Sequence, residues 1–376
     1  MEMNCFDNIR PYTESETVEA LKRVADSPFI DLIPKYIDEI DATSLRYALR
    51  NVKGIDDFQI NIMANVVRAV IAKTSSGLSV SGTEYFKTGD KHIFLSNHRD
   101  IMLDPAILQL ILFENGVSTT EIAVGDNLIA NSLIEDVFRS NRMIKVSRSG
   151  SPREKYVASM TLSNYLRSSV ASGRCSVWIA QRNGRSKDGR DHTEQGVLKM
   201  LDMSGKDRFI QNFMELSILP VSISYEYEPC DFLKARELYI SKREKYVKKP
   251  GEDQHSILTG IMQHKGGISF DFSPAITLEE IEECAGLDKN ERFVALAAKI
   301  DERINTRFKL WKTNYMAWDI LNSASKFASY YTVEEKAAFE SYMEKGLSAV
   351  VAKDPDIDIK ELKSIFLSIY SNPISL

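Results

Sequence analysis

A chain of 376 residues with 48 lysines and arginines, 53 aspartates and glutamates and a formal net charge of −5 can bury a substantial core, as one large domain with an accessory piece or as two. The acidic balance excludes a general nucleic-acid binder, which needs a basic surface to displace phosphate counterions, so any basic site must be local. Four scattered cysteines, Cys5, Cys175, Cys230 and Cys284, form no C-x-x-C pair and are too sparse for a disulfide scaffold, which fits a reducing, cytoplasmic compartment.

The first seven residues, Met1 to Asp7, lack a basic stretch leading into an apolar one, so no secretion signal is expected. Residues 13 to 75 read as helical. Thr13-x-x-Glu16 is a capping box, in which threonine oxygen and glutamate carboxylate each satisfy a free amide of the first turn. Val18, Leu21 and Val24 follow at helical spacing, and Phe58, Ile62, Val66 and Val70 form a second apolar stripe, read as core.

At Gly77 the texture changes. Leu78 and Val80 alternate with serines, Gly82 turns the chain, and Gly89-Asp90 sets up the apolar run Ile93 to Leu95. A helix is predicted from Asp104 to about Phe113, a strand over Glu121 to Val124, a helix from Asn127 to about Phe138 and a strand over Met143 to Val146. A long helix from Pro152 to about Val170 leads into the apolar strand Ser176 to Ala180, and later strands fall at Ser217 to Tyr225 and Gly267 to Phe272. Such alternation predicts an α/β fold: a mixed, mostly parallel sheet flanked by helices, with functional loops at the carboxyl ends of the strands.

From Leu278 the pattern is helical again, through Phe293-x-x-Leu296 and a long segment from Ala298 to Leu310. Trp311, Tyr315, Trp318, Tyr330 and Tyr331 make the last third aromatic-rich, read as core or domain cover before acyl-chain contact. Lys353-Asp354-Pro355-Asp356 is a turn before a final helix. The expected organisation is a helical N-terminal domain over 1–76, an α/β domain over 77–310 and a helical C-terminal extension over 311–376. The apolar run nearest the expected site, Ala106 to Phe113, is broken by Gln109 and falls far short of the roughly 20 residues of a membrane helix. No span is expected there, while a peripheral lipid contact stays open.

Chemistry is expected just after the run Ile93 to Leu95, in Ser96-Asn97-His98-Arg99-Asp100-Ile101-Met102-Leu103-Asp104-Pro105. A histidine can act as general base when a carboxylate fixes its tautomer and stabilises the imidazolium. On a continuous helix, five- or six-residue steps do not bring side chains together, so a His98–Asp104 pair needs His98 in the loop before the helix. Pro105 favours the first helical position and would place Asp104 at the N-cap, which also allows Asp104 to be a plain cap and His98 an ordinary loop residue. Asp100, two residues from His98, is the competing partner.

The apolar strand ending at Ala180 leads into Gln181-Arg182-Asn183-Gly184-Arg185-Ser186-Lys187-Asp188-Gly189-Arg190-Asp191. Its four cations and two glycines can offer guanidinium forks and backbone amides to a phosphate, or form a solvated turn balanced by Asp188 and Asp191. Arg142, Lys145, Arg148 and Arg153 follow another strand, and two such loops could converge on one anion. Leu219-Pro220-Val221 begins a strand ending in the aromatic and acidic turn Tyr225-Glu226-Tyr227. His92, His192, His255 and His264 have no helical i, i+4 partner or nearby cysteine cluster, so no metal site is expected.

In this order, over roughly residues 77 to 230, these segments resemble the glycerolipid acyltransferases, the family of glycerol-3-phosphate and 1-acylglycerol-3-phosphate acyltransferases. That family has Asn-His followed by four residues and an Asp, then a strand leading into Gly-Arg-Ser or Gly-Thr-Arg-Ser, then an apolar strand containing Pro. The counterparts are Asn97-His98…Asp104-Pro105, Gly184-Arg185-Ser186-Lys187 and Leu219-Pro220-Val221, with Ile144-Lys145-Val146-Ser147-Arg148 as the basic segment between. Trp178-Ile179-Ala180 and the helical N-terminal region are similar to the soluble plastid glycerol-3-phosphate acyltransferases. One departure is that five residues separate His98 from Asp104, and Leu103 occupies the usual Asp position.

The resemblance implies acyl transfer from acyl-carrier protein or acyl-CoA as co-substrate to a hydroxyl of glycerol 3-phosphate or 1-acylglycerol 3-phosphate, with no other cofactor and no metal. His98 is then the base, Asp104 or Asp100 its partner, and Lys145, Arg148, Arg185 and Lys187 the phosphate clamp, with backbone amides holding the oxyanion. An inactive acyl- or phospholipid-binding protein of the same fold, or a hydrolase using the His/Asp pair on water, are the alternatives.

Overall fold

Among the described residues, seven strands build one sheet in the order β1-β7-β6-β2-β5-β3-β4, with β1 at Ser75–Ser81, β2 at Ile93–Ser96, β3 at Glu121–Gly125, β4 at Met143–Val146, β5 at Val177–Ala180, β6 at Ile218–Tyr225 and β7 at Gly266–Phe272. Every pairing is parallel except β6 with β7, so the mixed, mostly parallel α/β sheet expected from the alternating pattern is what forms. The computed structural model describes residues 6–35, 40–129, 131–206 and 208–375.

β2 is central, registered on β6 through Leu95 and Pro220 and on β5 through Leu95 and Ile179. Its side chains are buried on both faces, which is why the run reads as unbroken apolar sequence rather than alternation. Phe94 belongs to the core under the helix Leu103–Glu114, with Ile107, Leu108 and Ile111. Ile93 and Leu95 face the opposite core, with Leu166 of the helix Pro152–Ala171 and Leu296 and Ile300 of the helix Glu291–Thr306.

The N-terminal region is helical. Glu14–Asp26 carries the Thr13/Glu16 capping box, and Phe58, Ile62 and Val70 of the expected stripe are buried, with Val66 half-buried. A π-turn over Gln59–Met63 joins Ile55–Phe58 to Ala64–Thr74. It sets the buried Gln59 amide against Asn141 at 3.0 Å and the Thr119 hydroxyl at 2.6 Å.

Several boundaries differ from expectation. The predicted helix from Asn127 begins as a 3-10 turn over Asp126–Leu128 and becomes α-helical only at Ser132, where Asn131 caps it; Ala130, inside the predicted span, lies outside the described residues. The predicted helix from Ala298 to Leu310 stops at Thr306, freeing Phe308 to lie against the Arg99 guanidinium at 4.9 Å. Between β5 and β7 stand the helices Gln195–Asp202, Phe209–Leu216, Asp231–Ser241 and Glu252–Met262, none of which was singled out in the alternation.

The C-terminal helices Lys312–Leu321, Val333–Lys353 and Ile359–Ser371 share a core of Met316, Phe339, Met343, Phe366 and Tyr370 with Ala235 and Tyr239 of the helix Asp231–Ser241. Tyr315 stacks on Tyr330 at 4.3 Å and Trp318 meets Phe327 edge-on, so these rings cover one another. None of them lines the cleft described next.

Candidate active site

β2, β3 and β5 all end at one edge of the sheet, where a cleft of about 420 Å³ opens among their following loops and the residues just beyond β4. This is where open parallel sheets place ligands, because the loops leaving the strands splay apart there. His98, Trp178, Arg148, Arg182, Arg185 and Lys187 line it.

β2 ends at Ser96 and the next helix starts at Leu103, so His98 does sit in a loop. Its Nδ1 lies 2.9 Å from Asp104 Oδ2, and the Asp104 side chain is fully buried. Asp104 also accepts the backbone amides of Arg99 at 2.6 Å and Asp100 at 2.9 Å and the Tyr225 hydroxyl at 2.8 Å. A carboxylate gathering that many donors offers only acceptors to the ring, which assigns the proton to Nδ1 and leaves the Nε2 lone pair for a substrate. Trp178 meets the imidazole edge-on at 5.4 Å and is itself pinned by its indole N–H to Ser96 Oγ at 2.9 Å.

The expected N-cap role falls to the other aspartate. The helix begins at Leu103, placing Asp104 inside its first turn, and Asp100 Oδ1 accepts the amides of Met102 at 2.9 Å and Leu103 at 2.8 Å. Asp100 therefore does not pair with His98. Burial, followed by the Asp104 charge, pushes Asp100 above the usual carboxylate range, while the amides and Arg185 pull it back. Gly260 lies directly beneath its Oδ2, where any Cβ would collide. The extra residue between His98 and Asp104 is absorbed by this loop, whose bend Asp100 caps.

The basic residues divide. Arg148, Arg185 and Lys187 reach the cleft, but Lys145 does not: it pairs with Glu135 at 3.0 Å and lines a separate hollow with Asn8 and Ile9. The physical reason is that β4 is the edge strand, so a cation within it turns to a neighbouring helix, and only Arg148, past the strand end, bends inward. Arg142 lies at the opposite end of β4, paired with Asp56 at 2.6 Å.

Burial pushes the Arg148 guanidinium below its ordinary value, with Asp126 and Glu194 only partly compensating. Arg185 Nη1 and Arg182 Nε are buried without a hydrogen-bond partner among the described residues. Partly buried guanidinium groups with N–H donors left over suit an anion with several acceptor oxygens. Lys187 is tied to Glu237, and Lys248 to Asp253 at 2.6 Å, so both reach the rim already paired. Among the described residues, no group of three or more metal-ligating side chains occurs.

Sequence reasoning missed Tyr225, Asp191, Lys248 and the role of Arg182. Tyr225 stood in the turn ending the strand from Leu219, with no role assigned to it, yet its hydroxyl orients Asp104 from 121 residues away, and burial raises its pKa well above the ordinary tyrosine value, keeping it a donor. Arg182 stood inside the basic loop, and its position two residues past the end of an apolar strand was the available signal.

Residues 77–224 match the family model described as acyltransferase, a segment that runs from β1 into β6 and contains both the His98 loop and the Arg185 loop. No curated protein sequence matches the chain. Among solved structures, the crystal structure of the 1-acyl-sn-glycerophosphate (LPA) acyltransferase PlsC from Thermotoga maritima is similar, at 12% sequence identity and a TM-score of 0.41, over 78% of this chain and 96% of that one.

Proposed function

We propose, from the match of residues 77–224 to the acyltransferase family model, that the protein moves a fatty acyl group from acyl-carrier protein or coenzyme A to a hydroxyl of glycerol 3-phosphate or 1-acylglycerol 3-phosphate. The observation that carries the reading is the shared cleft: a carboxylate-oriented histidine and three guanidinium groups open on one cavity. A base alone fits many reactions; a base beside three clustered guanidinium groups fits a phosphorylated alcohol.

His98 Nε2 takes the proton from the acceptor hydroxyl as its oxygen attacks the thioester carbonyl. Asp104 holds the ring and stabilises the imidazolium. The tetrahedral intermediate then collapses, the C–S bond breaks, and the imidazolium returns the proton to the leaving thiolate, so ester and free thiol form with no net change in protons. Arg148, Arg182 and Arg185, with Lys187 at the rim, hold the phosphate and set the hydroxyl at attack distance; such pre-orientation can supply roughly 7–11 kcal/mol of a bimolecular barrier.

The reaction is proposed for the cytoplasm, with membranes touched only peripherally. Among the described residues no helix is long and apolar enough to cross a membrane. The test is thiol release from acyl-coenzyme A and from acyl-carrier protein, each with and without glycerol 3-phosphate or 1-acylglycerol 3-phosphate. Acceptor-dependent release lost in His98→Ala is the expected result. Release at the same rate without acceptor would make the protein a hydrolase, and no release with either donor would leave a binding protein.

A further inference from the structure

His98 is flanked by two residues that the proposed mechanism does not use, Asn97 and Arg99, and both reach the same distant carboxylate. Asn97 Nδ2 donates to Asp191 Oδ2 at 2.8 Å, and the Arg99 guanidinium donates to that same oxygen through Nη2. All three side chains are buried, Asn97 completely. Asp191 closes the segment that carries Arg185 and Lys187, so it stands at the far end of the anion-binding loop.

That loop is fastened to the histidine segment at its start, its middle and its end. Where it leaves β5, the Gln181 amide donates to the Ser96 carbonyl at 2.8 Å. In its middle, next to Arg185, the Ser186 amide donates to the carbonyl of His98 itself at 2.8 Å. At its end stands Asp191. A second buried pair braces Arg99 from behind: Glu228 accepts from Arg99 Nη1 at 3.3 Å, and Lys234 Nζ donates both to Glu228 and, at 2.9 Å, to the Arg99 carbonyl.

Asp191 Oδ1 is buried and makes no hydrogen bond among the described residues. Glu228 is shared with Lys234, so Asp191 supplies the closer counter-charge to Arg99, and the same oxygen that pairs with Arg99 also accepts from Asn97, one bond to each neighbour of His98. We propose that Asp191 is a positioning residue, which clamps the residues on both sides of His98 and so locks the base to the loop that binds the acceptor's phosphate. The proposal rests on His98 being the base. Its consequence is that the anion loop and the base move as one body, so the distance from a bound phosphate to Nε2 is fixed before the thioester arrives.

The test is Asp191→Asn, which keeps the shape and one acceptor oxygen but removes the charge that holds Arg99 and Asn97 together. Steady-state kinetics with the acceptor and a low-field proton spectrum of protein labelled with ¹⁵N-histidine are measured together. The expected result is a kcat lower by about 100-fold, the cost of displacing a reacting group by about an ångström. The acceptor KM stays within about threefold, because the cations are untouched. The Nδ1 proton signal of the His98–Asp104 pair, identified by its absence from His98→Ala, is lost or broadened.

An unchanged kcat overturns the proposal, and so does a reduced kcat with the Nδ1 signal intact, since that is what a merely structural role would give. If Asp191→Asn does not fold, Arg99→Lys cuts the same tie from the other side while keeping the buried positive charge, and the same two readouts decide. His98→Ala separates the layers: a fully active His98→Ala would end the base assignment, whereas an inactive His98→Ala beside a normal Asp191→Asn would end only this inference.

Discussion

Two aspartates four residues apart are given different work by the bend between them. Asp104 faces back on the imidazole and collects two amides and a tyrosine hydroxyl; Asp100 faces forward and caps the helix. Asp104→Asn can present an amide N–H to Nδ1 and favour the wrong tautomer, and kcat should fall by on the order of 10³- to 10⁴-fold. Asp100→Asn keeps an oxygen for the amides of Met102 and Leu103 and removes a charge that burial and Asp104 both disfavour. Its kcat should stay within about threefold of wild type, since it never touches the ring. Kinetics of the two variants, with melting curves to confirm folding, separate these roles; equal losses would mean that Asp100 shares the chemistry.

The loop carrying Arg185 and Lys187 is positioned from outside the sheet as well as by its own sequence. The last helix, Ile359–Ser371, ends against it: Asn372 Nδ2 donates to the Asp188 carbonyl at 2.7 Å, and Gly189, at φ +78°, leaves no room for a Cβ beside the Ile369 carbonyl. Gly189→Ala should therefore raise the acceptor KM by about tenfold, the effect of about 1.4 kcal/mol of lost positioning, in addition to a lower melting temperature. Gly173→Ala is the control, with φ +75° but nothing within 4 Å; it should lower the melting temperature and leave KM alone. A KM unchanged in Gly189→Ala would show that the C-terminal helix only leans on the loop. The same elements explain what could be read in advance. β2, β5 and β6, the loop placement of His98 and the inward reach of Arg148, Arg185 and Lys187 follow from local signals: apolar runs, glycine turns and cations just past strand ends. Lys145 was misplaced because sequence does not say that β4 is an edge strand. Tyr225 and Asp191 were missed because they meet the His98 loop across 121 and 94 residues, with no periodicity linking them.

At the scale of the whole molecule, a buried carboxylate helps tie the C-terminal helices to the α/β sheet region. Asp231 opens the helix Asp231–Ser241 and accepts the hydroxyls of Tyr370 at 2.7 Å and Tyr342 at 2.8 Å, one from each of the two long C-terminal helices, and the Gln263 amide at 3.0 Å. Burial pushes its pKa up to about 6, although those hydrogen bonds pull the other way. In the unfolded chain the same group titrates near 4, so the folded state holds its proton more tightly. The stabilisation from that proton is complete below about pH 4 and is lost as the pH rises to about 6. The loss is on the order of 3 kcal/mol, about two pKa units at 1.36 kcal/mol each. Carboxylates held low by cations, such as Glu16 beside Arg10 at about 2, run the opposite way but titrate below pH 4.5. Asp231→Asn removes the titration while keeping an acceptor oxygen. Measured by denaturant unfolding at several pH values between 4 and 8, the stability of the variant relative to wild type should rise by on the order of 3 kcal/mol from pH 4 to pH 7 and stay level beyond. A difference independent of pH would mean that Asp231 is ionised in both states. In that case the junction is held by a charged carboxylate that its two tyrosines fully satisfy.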